Sequence, residues 1–285
     1  MLYRASKTGV ICCSVFMLLG VARHAAAAQI PYRQMITARD PVTYLMLDET
    51  SGATANDTST TAGHTSRPGT FSTHVTLNQP SVSTNLATAV SADGTAVLPA
   101  PVVIASSSIA AFDAIGTGDF AVEMWFKTSN VATREDLFQF KDPAGGATSD
   151  LGIQLSNSTA GKLQFNHGAT SVVGSATVTA NAWHQLVLSR TAGTDTLYLD
   201  TVSIATLADA TTVSTNGTGN ISLGDKVSGT PRSFTGSIDE FAFYSRGLTP
   251  AEITADFVAA PEPGSFSLLG VAAVGLLSRR RRRHA

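Results

Sequence analysis

Residues 120–127 read Phe-Ala-Val-Glu-Met-Trp-Phe-Lys and carry the clearest periodicity in the chain. The even-numbered positions are Phe, Val, Met and Phe, whereas the odd-numbered positions are Ala, Glu, Trp and Lys. We call each such set of alternate residues a parity of the strand. Alternation with a period of two is typical of a β-strand that buries one face. We therefore predict a strand here, with its apolar parity turned towards a hydrophobic core.

Further strand patterns follow along the chain, separated by turns rich in Gly and Asn. They cover residues 137–140, 151–155, 162–165, 183–190, 196–200, 220–223 and 237–244. Many short strands at this spacing are typical of an all-β sandwich or jelly roll. Because no internal repeat is visible, we predict one domain over residues 29–260.

One short helix is predicted after the last strand. Thr249 is suited to cap its N-terminus, Pro250 fits the first helical position, and Glu252 completes a capping box. Ile253 and Phe257 lie four residues apart and give the helix an apolar stripe that can pack against the sandwich.

Four segments resemble LamG-like, concanavalin A-like jelly-roll domains, in the same order along the chain. They are residues 45–57, 118–127, 183–200 and 236–253. The resemblance implies a concanavalin A-like jelly-roll sandwich. The chain departs from the family at Thr201, where a glycine usually follows the aspartate. Since a tight hairpin turn there needs positive φ, we expect the turn after Asp200 to be longer or differently shaped.

The first 28 residues are predicted to be a signal peptide. Arg4 and Lys7 precede an apolar run over residues 10–21, and four alanines at 25–28 offer a cleavage site before residue 29. The alternative is an uncleaved membrane helix, but a run of about 12 residues is short against the ~20 that a bilayer span needs. Signal peptidase is therefore an expected processing partner.

The C-terminal segment, residues 261–285, has three consecutive parts. Pro261, Glu262 and Pro263 precede a mostly apolar stretch over residues 264–278, and five arginines follow at residues 279–283. As a helix the apolar stretch would be about 22 Å long, and an arginine cluster holds its end on the cytoplasmic side of a membrane. We therefore predict a separate C-terminal membrane helix, with the domain on the outer side of the inner membrane.

This arrangement resembles the PEP-CTERM sorting signal of Gram-negative bacteria. In that family an exosortase recognises the Pro-Glu-Pro motif, cuts the tail and passes the protein to the cell surface or extracellular matrix, often alongside exopolysaccharide production. The resemblance implies exosortase as a second processing partner and a transient membrane anchor. The alternative is a plain tail anchor, which would need neither Pro261 nor Pro263.

Charge is unevenly distributed along the chain. The formal net charge is −2, but residues 29–260 carry 11 basic and 20 acidic groups, a net of −9. An acidic domain disfavours nucleic-acid binding. The two cysteines, Cys12 and Cys13, lie in the predicted signal peptide. The mature domain is therefore expected to contain neither a disulfide nor a thiolate metal site.

Aspartates suggest a calcium site. On period two Asp239 shares a parity with Phe241 and Phe243, so if these aromatic residues face the core the carboxylate also points inward. An unpaired buried carboxylate is costly and needs a cation, an arginine or backbone donors. Oxygen ligands without cysteine favour calcium over zinc.

LamG-like domains often hold a structural calcium between the first and last strands. The resemblance carries this site over to Asp57 and Asp239, and more weakly to Asp48. The alternative is that Asp48 and Asp239 pair with Arg246 or cap turns. The strand also allows the opposite parity, Ile238 and Ala242, to be the buried set, which would turn Asp239 away from the core.

A sugar-binding face is predicted around Trp125. This indole lies on the parity opposite the apolar one, beside Glu123 and Lys127. An exposed indole flanked by polar groups can stack on a sugar ring and hydrogen-bond its hydroxyls. The alternative is that a loop or a second layer covers Trp125.

Catalytic patterns are absent from the sequence. Jelly-roll glycosidases of the laminarinase type carry a Glu-x-Asp-x-x-Glu strand, and neither this spacing nor a Gly-x-Ser-x-Gly elbow occurs here. We therefore predict a non-enzymatic, exported cell-surface or matrix protein whose LamG-like domain binds an extracellular polysaccharide or a surface protein. The alternatives are a glycan-active enzyme on the same fold and a purely structural matrix component.

Overall fold

The computed structural model describes residues 31–59, 65–95, 100–105, 112, 115–141, 151–156, 158–208, 213, 219–226 and 232–260. Within these residues two antiparallel sheets pack face to face. The predicted signal peptide, the sorting motif of Pro261, Glu262 and Pro263 and the predicted membrane helix all lie outside the described residues.

Sheet A forms one layer of the sandwich and has eight strands within the described part of the chain. They are β1 (Thr43–Leu45), β4 (Val75–Gln79), β5 (Ala89–Asp93), β7 (Phe120–Thr128), β12 (His184–Thr191), β13 (Thr194–Leu199), β14 (Val202–Ala208) and β16 (Thr235–Tyr244). Their spatial order is β14-β13-β12-β7-β16-β5-β4, and β1 also pairs with β16.

Sheet B forms the facing layer and likewise has eight strands among the described residues. They are β2 (Thr54–Ala55), β3 (Gly69–Phe71), β6 (Val102–Ile104), β8 (Asp136–Lys141), β9 (Leu151–Leu155), β10 (Lys162–His167), β11 (Thr170–Thr177) and β15 (Asn220–Leu223). Their spatial order is β11-β10-β9-β8-β15-β6-β3-β2.

The all-β class and the predicted strands are confirmed. The apolar parity of β7, which includes Phe120, Val122, Met124 and Phe126, lies in the main core between the two sheets. The patterns do not predict the short strands β1 to β6, nor β11 and β14, whose side chains are mostly half or fully exposed. Periodicity is weak where burial is partial or where a strand has only two or three residues.

Two helices cover the face of sheet A that is turned away from sheet B. Helix α1 (Tyr32–Ala38) precedes β1, and helix α2 (Pro250–Ala259) follows β16. Their buried residues join a second core with side chains of sheet A, including Tyr44, Val187 and Tyr244. We call this arrangement the helical layer. Sheet A is therefore buried on both faces, between sheet B and the helical layer.

Helix α2 begins with the predicted capping box. The Thr249 hydroxyl accepts a hydrogen bond from the Glu252 amide at 3.2 Å, and a Glu252 carboxylate oxygen accepts from the Thr249 amide at 2.8 Å. The hydrogen bond from Arg246, together with these donors, lowers the pKa of Glu252 to about 2. Helix α1 is not predicted, because its seven residues contain only two buried side chains, Tyr32 and Ile36.

A β-bulge lies in the middle of β16. Asp239 is paired with Trp125 and Ala242 with Glu123, so β16 has one extra residue here, and Glu240 has a φ of 53°. A bulge switches which face the following side chains point to. The expectation that Asp239 shares a face with the two phenylalanines after it is therefore wrong. Those rings face sheet B, whereas Asp239 contacts groups on the helical side.

The turn after Asp200 is a tight two-residue hairpin. Leu199 pairs directly with Val202, and both Asp200 and Thr201 have positive φ, at 49° and 72°. The expectation of a longer or differently shaped turn is wrong. The Asp200 carboxylate is held in place, because it accepts a hydrogen bond from the backbone amide of Gln185 at 2.9 Å. Tertiary contacts of this kind offset the strain of a threonine at positive φ.

No helix within the described residues is long and apolar enough to cross a membrane. The predicted membrane helix over residues 264–278 is outside that part of the chain.

The helical layer should contribute strongly to stability. Ile253 on α2 is fully buried in the second core. We expect Ile253→Ala to lower the free energy of unfolding by about 2–4 kcal/mol, since truncating a buried aliphatic side chain loses transfer energy and leaves a cavity. Urea denaturation measures the change.

The matched control is Thr254→Ala, at the next and exposed position of the same helix. It should change the free energy of unfolding by no more than about 0.5 kcal/mol. Equal effects of the two substitutions would contradict a buried helical layer.

Candidate functional site

Trp125 does not form an exposed sugar-stacking surface. Its side chain is fully buried in the helical layer, and its ring stacks on Phe257 of α2 with centroids 5.6 Å apart. The indole nitrogen donates to the Tyr32 hydroxyl at 3.2 Å. The prediction of an exposed indole is therefore wrong, and its alternative, a second layer over Trp125, describes the structure.

The other two residues of the predicted sugar-binding face are also placed elsewhere. Glu123 is fully buried, and Lys127 is half-buried with its ammonium 5.1 Å from the centre of the Trp183 ring. Phe257 of α2 and Tyr32 of α1 cover Trp125 and Glu123, so a glycan cannot reach either side chain. Trp125, Glu123 and Lys127 therefore do not form an accessible binding face.

Glu123 instead lies in a buried polar pocket beneath the helices. Its carboxylate accepts a hydrogen bond from the side-chain amide of Gln185 at 2.9 Å. It also accepts hydrogen bonds from the Tyr32 and Tyr244 hydroxyls, at 3.4 Å each. Burial raises the pKa of Glu123 to about 8, and the nearby Asp256 carboxylate adds to the increase. A carboxyl group in this setting is protonated at neutral pH.

Ion pairs attach α1 to the rest of the helical layer. Arg39 pairs with Asp256 of α2. Arg33 lies 2.6 Å from the Glu240 carboxylate at the bulge and 2.8 Å from Asp48. Burial raises the pKa of Glu240 to about 7 and that of Asp256 to about 6, while the paired arginines oppose the increase. These contacts give the helical layer a structural role, with its charged groups paired inside it.

The three aspartates predicted to bind calcium have protein partners. Asp57 accepts from the Tyr44 amide at 3.0 Å and from the Arg67 amide at 2.7 Å. Asp239 accepts from the Ser81 hydroxyl at 2.6 Å, and its other oxygen is buried without a hydrogen-bond partner. Asp48 pairs with Arg33, as described above.

The described part of the chain contains no group of three or more His, Cys, Asp or Glu side chains placed to hold a metal ion. Calcium at Asp57 and Asp239 stays a prediction from the family resemblance, and melting the protein with and without chelator tests it.

The outer face of sheet B presents a continuous polar surface. Strands β8, β9, β10 and β15 send alternate apolar side chains into the main core, so their other parity points outward. Cross-strand pairing aligns these outward positions in two rows. We call this set the polar face, and it consists of Asp136, Gln139, Gln154, Gln164, Asn166 and Ser222. Gln164 and Asn166 are half-exposed, whereas the other four are at most 8% exposed.

Several buried atoms of the polar face lack hydrogen-bond partners. Gln154 directs its oxygen to Arg134, which donates from two nitrogens at 3.0 and 2.6 Å, so the Gln154 amide nitrogen is left without an acceptor. Gln139 donates to Asp136 at 3.2 Å, and its oxygen lacks a donor. One Asp136 oxygen is likewise unpartnered. A buried unpaired polar group costs about 1–3 kcal/mol.

Partly exposed side chains surround these buried atoms. Gln164 and Asn166 of β10 are half-exposed, and so are Arg134 and Arg232 from the segments before β8 and β16. Arg232 lies 3.8 Å from Asp136. Burial raises the pKa of Asp136 to about 6, although Arg232 opposes the increase. The polar face therefore combines buried hydrogen-bonding groups with accessible ones, as ligand sites usually do.

The sequence predictions missed the polar face, although a signal for it exists. Within predicted strands 151–155 and 162–165, the parity opposite the apolar residues contains Gly152, Gln154 and Gln164. Amide side chains on neighbouring strands indicate a hydrogen-bonding surface, but only if the strands are known to be adjacent. Pairing of β8 with β9 and of β9 with β10 supplies that adjacency.

A second polar cluster joins the two sheets. His167 of β10 in sheet B lies 2.7 Å from the carboxylate of Asp195 in sheet A, and Arg190 donates to the same carboxylate at 2.8 Å. Arg190 and Asp195 face each other across the hairpin of β12 and β13, whereas His167 comes from the other sheet, and each of the three is at most 1% exposed. Because no solvent reaches the cluster, it serves to hold the sheets together.

The family comparison agrees with this architecture. Residues 103–254 match the concanavalin A-like lectin/glucanases superfamily, and residues 259–283 match the PEP-CTERM protein-sorting motif. The chain therefore belongs to the concanavalin A-like lectin/glucanases superfamily. The sorting motif marks it as an exported protein sorted to the cell surface. Both predicted resemblances are confirmed.

Solved structures show the same fold. A Trypanosoma rangeli sialidase, solved with 2,3-difluorosialic acid, is 13% identical with a TM-score of 0.54; the match covers 77% of this chain but only 33% of the sialidase chain. Domain 4 of AbnA, a GH43 extracellular arabinanase from Geobacillus stearothermophilus solved with arabinotriose, is 16% identical with a TM-score of 0.53. That match covers 76% of this chain and 98% of the other. No curated protein sequence matches the chain.

The buried carboxyl groups predict a definite pH dependence of stability. The folded-state pKa of Glu123, about 8, exceeds its ordinary value of 4.5. The folded state therefore keeps a proton that the unfolded chain releases, and stability falls as pH rises from about 5 to 8. We expect Glu123→Gln, which cannot titrate, to make this fall shallower by roughly 1 kcal/mol per pH unit.

Urea denaturation at several pH values between 5 and 8.5 measures the slope. Asp93→Asn is the control, because the Asp93 carboxylate is exposed and its pKa is lowered by hydrogen bonds from Thr95. It should retain the wild-type slope over this range. An unchanged slope in Glu123→Gln would show that Glu123 is ionised in the folded protein.

Proposed function

We propose that this exported surface protein binds a saccharide on its polar face and does not cleave it. The observation that carries the proposal is the set of unpartnered buried atoms on that face. The Gln154 nitrogen needs an acceptor, whereas oxygens of Gln139 and Asp136 need donors. Sugar hydroxyls both donate and accept hydrogen bonds, so one saccharide complements all three atoms.

The layout of the domain supports this role. Helix α2 ends at Ala259, and the sorting motif begins at the same residue. The tail therefore leaves the domain from the helical layer, on the side of sheet A that faces away from sheet B. The polar face lies on the opposite side of the sandwich. A domain attached through its tail would therefore turn the polar face away from the membrane.

Related folds provide a further reason for the proposal. The arabinanase domain that shares this fold was solved with arabinotriose. At 16% identity the likeness concerns the fold alone, and no residue of that protein is transferred to this chain. The choice of the polar face comes from the unpartnered atoms of the chain itself.

Binding without hydrolysis is favoured by the carboxylates present. Glycoside hydrolysis generally uses two carboxyl groups on either side of the scissile bond. As defined from the described residues, the polar face has one carboxylate, Asp136. Asp225 lies close enough to raise the pKa of Asp136, but its carboxylate accepts hydrogen bonds from the backbone amides of Lys226 and Arg232. This arrangement supports a binding function over a hydrolytic one.

A glycan array probed with the purified protein tests the proposal. We expect the wild type to bind a subset of oligosaccharides, and Gln154→Ala and Gln139→Ala to weaken binding at least tenfold, because each loses a polar-face hydrogen bond. Thr254→Ala in the helical layer is the control and should bind normally. Absence of binding by the wild type would refute the saccharide function, and release of shorter sugars would refute the non-catalytic part.

Sorting is tested separately from binding. We expect replacement of Pro261 and Pro263 by Ala to leave the uncut form in the inner membrane, because exosortase would no longer recognise the tail. Immunoblots of membrane and surface fractions measure the two forms. Pro80→Ala, at an exposed position within the domain, is the control and should be sorted normally. Surface display of the double variant at the wild-type level would refute sorting through the Pro-Glu-Pro motif.

A further inference from the structure

Two arginines at the edge of the polar face share one neutral acceptor. Arg134 donates to the Gln154 side-chain oxygen from two nitrogens, at 3.0 and 2.6 Å. Arg232 approaches the same oxygen at 3.5 Å. Two guanidinium groups thus converge on a single uncharged atom. Two positive charges repel each other at this spacing, and an anion placed between them offsets that repulsion.

One buried carboxylate, Asp136, opposes the two guanidinium groups. Arg134 forms no ion pair with any carboxylate among the described residues, and Asp136 approaches Arg232 only to 3.8 Å. Asp225 accepts from the backbone amides of Lys226 and Arg232, at 2.6 and 2.7 Å. Burial and, to a lesser degree, the charge of Arg232 lower the pKa of Arg134, whereas the Asp136 carboxylate opposes the decrease. A single carboxylate therefore faces two guanidinium groups.

This excess of positive charge is local. Residues 29–260 as a whole carry a net charge of −9. A pair of converging arginines is therefore an exception on an acidic domain, and it lies beside the face where unpartnered hydrogen-bonding groups are concentrated. The buried amide nitrogen of Gln154, which lacks an acceptor, lies next to the same pair and adds a third donor.

We propose that Arg134 and Arg232 form a subsite for the carboxylate of an acidic sugar, such as a uronic acid unit of a polysaccharide. This inference rests on the proposed saccharide-binding function and names its ligand class. Planar guanidinium groups match a planar carboxylate in two parallel hydrogen bonds. The Gln154 amide nitrogen would donate to the same ligand, and the rest of the polar face would bind the sugar hydroxyls.

The experiment compares matched acidic and neutral ligands. The full chain, purified in mild detergent, is titrated calorimetrically with oligogalacturonate and with the same oligomer after reduction of its carboxyl groups. We expect the acidic oligomer to bind at least tenfold more tightly. Arg134→Gln and Arg232→Gln should each bring the ratio of the two dissociation constants most of the way to one, and the ratio isolates the carboxylate effect from any change in binding of the neutral oligomer.

Two further variants make the result specific. Arg134→Lys keeps the charge but loses the two-pronged geometry, so it should restore only part of the preference. Arg246→Gln removes a partly exposed arginine of the helical layer and should keep the full preference. Thermal melting establishes that each variant is folded. If Arg134→Gln does not fold, Arg232→Gln provides the test of the subsite.

The outcomes separate this inference from the proposed function. If both oligomers bind equally and the arginine variants have no effect, the carboxylate subsite is refuted while saccharide binding stands. If neither oligomer nor any neutral glycan binds, the proposed function itself fails. A sulfated oligomer provides the third arm, and binding of it as tight as that of oligogalacturonate would overturn the assignment to a carboxylate.

Discussion

Strand β7 is buried on both of its faces, and much of the domain is arranged to achieve this. Its apolar parity packs against sheet B, and its other parity includes Ala121 and Trp125, whose apolar surface would be costly to leave in water. Glu123 lies between them and is buried with them. Helices α1 and α2 cover that second face. Because α1 precedes the first strand and α2 follows the last, the two ends of the described chain meet on the same side of the sandwich.

Covering sheet A in this way also determines its electrostatics. Carboxyl groups that would be solvated on a one-sided sheet become buried, and they are accommodated by pairing, by hydrogen bonding or by protonation. Glu240 pairs with Arg33 and Asp256 with Arg39, whereas Glu123 has its pKa raised to about 8. Buried ion pairs contribute little net stability but are costly to break. They therefore fix the position of α1 more than they strengthen the fold.

The outer face of sheet B differs from the helical layer in chemistry and in access. Its amide and carboxyl groups are only partly satisfied by one another, and half-exposed arginines lie beside them. In the helical layer most charged groups have opposite partners and are shielded from solvent. The division assigns attachment to one side of the domain and recognition to the other, which suits a protein sorted to the cell surface.

The amino-acid sequence by itself determined half of the described strands, the capped helix α2, the family and the C-terminal sorting motif, because periodicity, capping and motifs are local properties. Only the tertiary structure decided which polar residues are accessible. Trp125 is covered by a helix from the far end of the chain, and a single-residue bulge at Glu240 changes the face on which Asp239 lies. The pairing of β8 with β9 places Gln139 near Gln154, and the segment before β8 places Arg134 against the Gln154 side chain. These contacts join residues distant in sequence, so no local pattern specifies them.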